Sequence, residues 1–363
     1  MIKTRATTIF LLVSVILLVT FVCLAQVTFP ASALAQAKPI TLRLHTHLPN
    51  RGVEGAALSK YCEEANRRSG GLVTINVFWG GVLGKPGEEL EGVQQGRMDM
   101  AMTVMSYNPA KLPLGRISRP VLFGDDDSGH ISTIMRKLYD EFPEMRNELE
   151  KYNHKTLAYG PLPSYTIYSK APIKTLNDLK GVKIAATGAD HPRALSAVGA
   201  IPVAMPSPER YQALQTGVVS ASLLGLESQF TFKLHEVAKN VTITNLGAIY
   251  AFAITINKDV YAKLHPDVQK ALLEAGPALE AWYGAEENRV EKTIVDTLKA
   301  AGVQVFTMSE ADRIAWAQAL PDLPKEWITE MEKAGLPGRK IMNRYLQLME
   351  EMGHKFPRRW GPY

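Results

Sequence analysis

The hydrophobic period of this chain changes repeatedly along its length. Short runs at 41–46, 72–78, 99–104, 182–186, 202–205, 218–224 and 248–257 are alternating or β-rich. Between them lie stretches with apolar residues at helical spacing, such as 53–68 and 128–142. A period that switches between two and 3.6 predicts an α/β fold with largely parallel sheets. No Pro/Gly/Ser-rich linker interrupts the pattern, so independent beads on a string are excluded. With 363 residues the chain can bury two cores. The expectation is two lobes joined by segments that cross more than once, with a ligand cleft between them.

The helical signals have local causes. Ser69-Gly70-Gly71 stops the first helix, and Thr175 with Asp178 forms a capping box before Gly181. Ser207-Pro208 reads as an N-cap followed by a first-position proline. Asp125-Asp126-Asp127 reads as a solvated turn capping a helix at Ser128 rather than a metal site. After residue 259 the chain is mostly helical. Segment 259–275 precedes a helix over 278–300 of about 35 Å at 1.5 Å per residue, long enough to span both lobes. Further helices are expected near 309–319, 325–334 and 340–352.

The N-terminus carries an address. Lys3 and Arg5 precede an apolar run from Ile9 to Ala25, and small residues follow at 31–37. This is the order of a secretory signal, expected to cover 1–35 and to be removed near Ala33 or Ala35. Cys23 would leave with it, so Cys62 would stand alone and no intrachain disulfide is expected. Cys62 lies in phase with Val53, Leu58, Tyr61 and Ala65, which points to a buried thiol on an amphipathic helix. The net charge of +5 includes Lys3 and Arg5, and the remaining charges are scattered. Nothing in that distribution suggests nucleic-acid binding.

Residues 175–188 (TLNDLKGVKIAATG), 211–219 (YQALQTGVV), 77–84 (VFWGGVLG), 94–100 (QQGRMDM) and 254–257 (ITIN) share an order and spacing. In these segments the chain resembles the solute-binding proteins of tripartite ATP-independent periplasmic (TRAP) transporters, the DctP-type receptors. The resemblance extends over nearly the whole mature chain. It implies two α/β lobes that close on a ligand, a long helix spanning both, and delivery to membrane permease subunits. It also implies that an arginine after Lys-Ile holds the ligand carboxylate. Here that position is Ala185. Two further polar positions of the family fall near Ser164 and Leu224. A carboxylate buried without a partner costs several kcal/mol. A C4-dicarboxylate is therefore an unsuitable ligand, and the expectation is either an apolar, aromatic or neutral molecule or an organic acid whose charge is met elsewhere.

The candidate ligand-binding residues are His47, Met105, Tyr107, Ser164, Ala185, Gly188, Arg193, Ser207, Leu224, Glu227 and Phe252. Arg193, at a helix start two residues after His191, is the candidate relocated cation. His45 and His47 are read as strand residues rather than as metal ligands. No nucleophile motif, metal-spaced Cys/His cluster or phosphate-cradling loop is present in the sequence. The chain is thus expected to be a receptor without catalytic residues, metal or cofactor. The rivals are an exported enzyme and a sensory protein on the same fold. The expected lobes are 38–161 with 248–288, and 162–247 with 289–363. Periplasmic location, permease partners and a monomer are expected, with a dimer as the alternative.

Overall fold

The computed structural model describes residues 38–363. The expected signal segment and Cys23 lie outside them. Two sheets organise the fold. The first contains β1 (Ile40–His45), β2 (Val73–Phe78), β3 (Met100–Val104), β4 (His154–Leu162) and β10 (Ile249–Asn257), in the order β2-β1-β3-β10-β4. The second contains β5 (Tyr165–Ser169), β6 (Lys183–Ala186), β7 (Ile201–Ala204), β8 (Ala221–Gly225), β9 (Asn240–Ile243) and β11 (Gln304–Thr307), in the order β11-β9-β5-β8-β6-β7.

The sheets are mixed rather than largely parallel. β10 is antiparallel to both β3 and β4, and β5 is antiparallel to both β8 and β9. The remaining neighbours run parallel. The reversed strands are the first ones reached after the chain changes sheet, between Leu162 and Tyr165 and between Ile243 and Ile249. Parallel pairing needs a covering helix after each strand, and α1 (Gly52–Arg68) supplies one between β1 and β2. Every residue of β10 is buried.

The segments expected at 259–275 and 278–300 merge. After α8 (Lys258–Ala262), α9 runs unbroken from Pro266 to Ala300 over 35 residues, with Pro277 inside it. At 1.5 Å per residue it is about 50 Å long. Its apolar face packs on α1, on β4 and on α3 (Ser128–Glu141). On the α3 side Arg136 makes a two-point ion pair with Glu280 at 2.7 and 2.6 Å, and Glu280 also accepts from the Tyr159 amide. Tertiary packing over that length outweighs the local penalty of the proline.

The expected caps are partly realised. Asp127 accepts from the Gly129 and His130 amides at the start of α3, and Thr175 with Asp178 closes its capping box. Ser207 caps nothing. Residues Ser207–Glu209 form a single 3-10 turn leading into α6 (Arg210–Thr216), and that turn brings Arg210 inward. Cys62 is partly buried against the core rather than fully inside it, and burial pushes its pKa up to about 12. Three C-terminal helices, α10 (Glu310–Ala319), α11 (Leu323–Lys333) and α12 (Gly338–Glu351), complete the chain. Indole donors pin α10, α11 and the terminus to earlier parts of the chain: Trp316 to the Ala194 carbonyl, Trp327 to that of Pro113, and Trp360 to that of Leu122.

Candidate functional site

A cleft opens between the two sheets, at the carboxyl ends of their parallel strands. Met102 and Val104 of β3, Leu162 at the end of β4, and Ala251 and Phe252 of β10 form one wall. Tyr165 of β5 and Leu224 of β8 face them from the other sheet, with Thr187 just beyond β6. About 420 Å³ of space, part of it open to solvent, lies among these side chains, on the scale of a small-molecule site.

Two adjacent residues of β10 line this wall because the strand is irregular. Its register against β4 shifts between Tyr250 and Phe252, so the simple alternation of faces fails there. Tyr250 turns instead toward Tyr139, their hydroxyls 3.4 Å apart. Phe252 lies opposite Gly160, and a Cβ added to that glycine would come within 2.1 Å of the Phe252 ring. The glycine makes the room in which the ring lies.

The cleft contains a guanidinium. Arg119 lines it and is 1% exposed. It comes from the loop Leu112–Phe123, which has no helical or strand period. Two anchors hold that loop. The Glu148 carboxylate in α4 (Pro143–Glu150) accepts from the Leu114 and Gly115 amides at 2.6 and 2.8 Å. Arg116 reaches Asp190 in the first turn of α5 (Asp190–Ala197), at 3.1 Å, and also pairs with Glu330. One residue further along α5, His191 Nδ1 lies 3.3 Å from Arg119 Nη1. The His191 ring stacks on Tyr165 with centroids 4.5 Å apart.

A second buried arginine stands close behind. Arg210 is fully buried and donates to the Ser222 hydroxyl at 3.1 Å, the Leu223 carbonyl at 2.8 Å and the Thr187 hydroxyl. Burial pulls its pKa down to about 10, so it stays charged at neutral pH. Among the described residues neither Arg119 nor Arg210 has a carboxylate partner. Of the three arginines, Arg116 alone pairs with carboxylates, those of the buried Asp190 and the half-exposed Glu330. An unpaired buried charge costs several kcal/mol. A ligand carboxylate in the cleft would offset part of that cost.

On another part of the lining the chemistry reverses. Glu54 of α1 is buried and accepts from the Ser228 hydroxyl at 2.9 Å. Ser228 belongs to α7 (Leu226–Thr231) and lines the cleft with it. Burial, then the charge of nearby Glu227, pushes the Glu54 carboxyl up to about 8. At neutral pH it is mainly the neutral acid, able to donate as well as accept.

Of the residues named from the sequence, His47, Tyr107, Ser207, Leu224 and Phe252 line the cleft. His47 packs edge-on against Tyr107, and its Nδ1 lies 3.7 Å from Glu89. Gly188, at φ +83°, sits beside it, where an added Cβ would lie 3.5 Å from Arg119 Nη1. Met105 points into the core near Gly115. Ser164 is used up by the Gly247 amide, and Ala185 is buried in the core beneath β6. Glu227 accepts from the Val53 amide and from Thr231, joining α1 to α7. Arg193 is a surface residue paired with Glu326 at 2.6 Å, because its position on the short helix α5 turns it outward while His191 turns inward. The expected depletion of cationic groups is overturned by Arg119. Its signal was two arginines, Arg116 and Arg119, embedded in the otherwise apolar stretch 112–123. No helix of the described residues is long and apolar enough to cross a membrane.

The sequence matches the family model described as bacterial extracellular solute-binding protein, family 7, over residues 45–330. It is 29% identical over 267 residues to the 2,3-diketo-L-gulonate-binding periplasmic protein YiaO of Escherichia coli (strain K12), covering 73% of this chain and 79% of that one. It is 28% identical over 298 residues to the C4-dicarboxylate-binding periplasmic protein DctP of Rhodobacter capsulatus, covering 80% and 87%. Among solved structures, a TRAP periplasmic solute binding protein from Desulfovibrio salexigens DSM2638 superposes with a TM-score of 0.73 at 25% identity, covering 86% of this chain and 96% of that one. These relatives are solute-binding proteins, not enzymes.

Proposed function

Because this chain belongs to the bacterial extracellular solute-binding proteins of family 7, the TRAP solute receptors, we propose that it captures a small organic acid with one carboxylate and a flat, apolar body. The observation that carries this reading is Arg119, a cleft-lining guanidinium that is 1% exposed and has no carboxylate partner among the described residues. A ligand carboxylate there would meet parallel N–H donors in a site that excludes water. Phe252, Tyr165, Tyr107 and Leu224 supply apolar walls for the rest of the molecule. Glu54 offers a second carboxylate no positive charge, so simple C4-dicarboxylates remain unsuitable. A wholly neutral ligand would leave the Arg119 charge uncompensated.

Binding would close the lobes formed by 38–161 with 248–288 and by 162–247 with 289–363, hinged at the two strand crossings and along α9. The closed monomer would then dock on TRAP permease subunits in the periplasm, after removal of 1–35. Isothermal titration of aromatic and aliphatic monocarboxylates, neutral analogues and dicarboxylates tests the reading. Monocarboxylates should bind, and Arg119→Met should weaken them by about 100-fold, within the range for truncating one partner of a buried charge pair. Equal affinity for a neutral analogue, or unchanged binding by Arg119→Met, would overturn it.

A further inference from the structure

The cleft has a second polar feature that a carboxylate does not use. Glu54 and Arg119 both line it, but they have separate neighbours. Arg119 is surrounded by Ser106, Gly188 and His191. Glu54 is bonded to Ser228, with Glu227 nearby. A glutamate buried in a ligand cleft needs an account, since a carboxyl of this kind is rarely buried without a partner.

Its local structure shows how it is held. α1 begins at Gly52, and the Val53 amide donates to Glu227 at 3.2 Å. Arg51 Nε donates to the Thr231 carbonyl at 3.0 Å. Ser228 donates to Glu54 Oε1 at 2.9 Å. These contacts all join the start of α1 to α7, so the Glu54 carboxyl is fixed from both sides of the cleft. The Ser228 bond uses one oxygen. Among the described residues Oε2 accepts no hydrogen bond, so that oxygen is available to an occupant of the cleft.

Resting on the carboxylate reading above, we propose that Glu54, positioned by Ser228, is a specificity-determining residue that hydrogen-bonds a hydroxyl or similar neutral polar group of the ligand. The ligand class is then a hydroxy-substituted monocarboxylic acid, with its carboxylate at Arg119 and its neutral polar group at Glu54. Specificity of this kind is strong because a site built to bond a hydroxyl leaves its own buried polar group unpaired when the hydroxyl is missing. A second ligand carboxylate at that position would face an acidic group with no arginine to meet it.

The probes are benzoate, 3-hydroxybenzoate, 4-hydroxybenzoate and isophthalate, titrated into the mature chain and into Glu54→Leu, Glu54→Gln and Ser228→Ala. At least one hydroxybenzoate should bind wild type about tenfold or more tighter than benzoate, and isophthalate should bind more weakly than that hydroxybenzoate. Glu54→Leu should bring the hydroxy acid to within about twofold of benzoate. Glu54→Gln, which can still donate and accept, should keep much of the preference, whereas Ser228→Ala, which removes the group that positions Glu54, should lose most of it and serves as the decisive variant if Glu54→Leu does not fold. A preference that survives Glu54→Leu, a tighter isophthalate than hydroxybenzoate, or no hydroxyl preference in wild type overturns this proposal while the carboxylate reading stands. If wild type binds none of the four acids, both fail.

Discussion

Arg119 Nη1 lies 3.3 Å from His191 Nδ1. A guanidinium only donates, so the imidazole accepts through Nδ1 and carries its proton on Nε2. Burial holds the His191 pKa well below the ordinary 6.5, and the charges of Arg119 and Arg210 add to the effect. The nearby guanidinium thus favours the neutral ring. His191 is buried and does not itself line the cleft, so it positions Arg119 rather than binding the ligand.

Replacing His191 separates those contributions. His191→Phe keeps a ring to stack on Tyr165 but removes the acceptor, and His191→Asn keeps an acceptor near Nδ1. Monocarboxylate affinity should fall about tenfold in His191→Phe, the scale of one hydrogen bond to a charged group. It should recover substantially in His191→Asn. Titration calorimetry, with thermal unfolding as a control for folding, checks both. Equal losses in the two variants would show that the ring matters only for packing.

Gly160 and Phe252 make a second test. Gly160→Ala would place a methyl group where the Phe252 ring now lies, within 2.1 Å of it. The ring has to rotate into the cleft or the two strands have to separate. Overpacking of this kind costs about 1–3 kcal/mol. Thermal denaturation should show a lower Tm, and ligand affinity should fall. Gly160→Ala combined with Phe252→Leu should regain stability, because the smaller side chain vacates the contested space. A single variant with unchanged Tm and affinity would contradict the packing described.

The contrast between Ala185 and Arg119 shows what the sequence could and could not reveal. Period switching located most strands and helices, since hydrophobic alternation is a local property. The strand at 248–257 was legible, but the antiparallel direction of β5 and β10 was not, because strand direction depends on where the chain crosses between sheets. The break at Pro277 looked like a helix boundary, yet packing along α9 overrides it. In the site, the residues near strand ends, His47, Tyr107 and Leu224, were legible from position along a strand. Arg119 and Glu54 were not. One sits in an aperiodic loop and the other in the first turn of a helix, and only tertiary contacts with α5 and α7 bring them to the cleft. Reading a missing arginine at 185 as a missing charge assumed that charge must enter from the same strand. Here it enters from a loop, while Arg210 enters from α6.

The buried acids and imidazoles set opposite limits on stability. Burial pushes Glu54 up to about 8 from 4.5, and it raises Glu227 and Glu287 as well. The folded state therefore holds protons that the unfolded chain releases above about 4.5. The stability tied to those protons is complete below that pH and is lost as pH rises through about 8. Burial lowers His154 to about 4 and His191 further from 6.5, so the unfolded chain takes up protons first as pH falls. That contribution is present above about 6.5 and is lost toward pH 4. The two trends meet, and Tm should pass through a maximum between about pH 5 and 6.5. Glu54→Gln has no proton to lose, so its Tm should decline less steeply than wild type between pH 6 and 9. Thermal scans at constant ionic strength measure both slopes. A wild-type Tm that rises steadily from pH 6 to 9, or a Glu54→Gln slope equal to that of wild type, would mean that Glu54 is ionised in the folded protein.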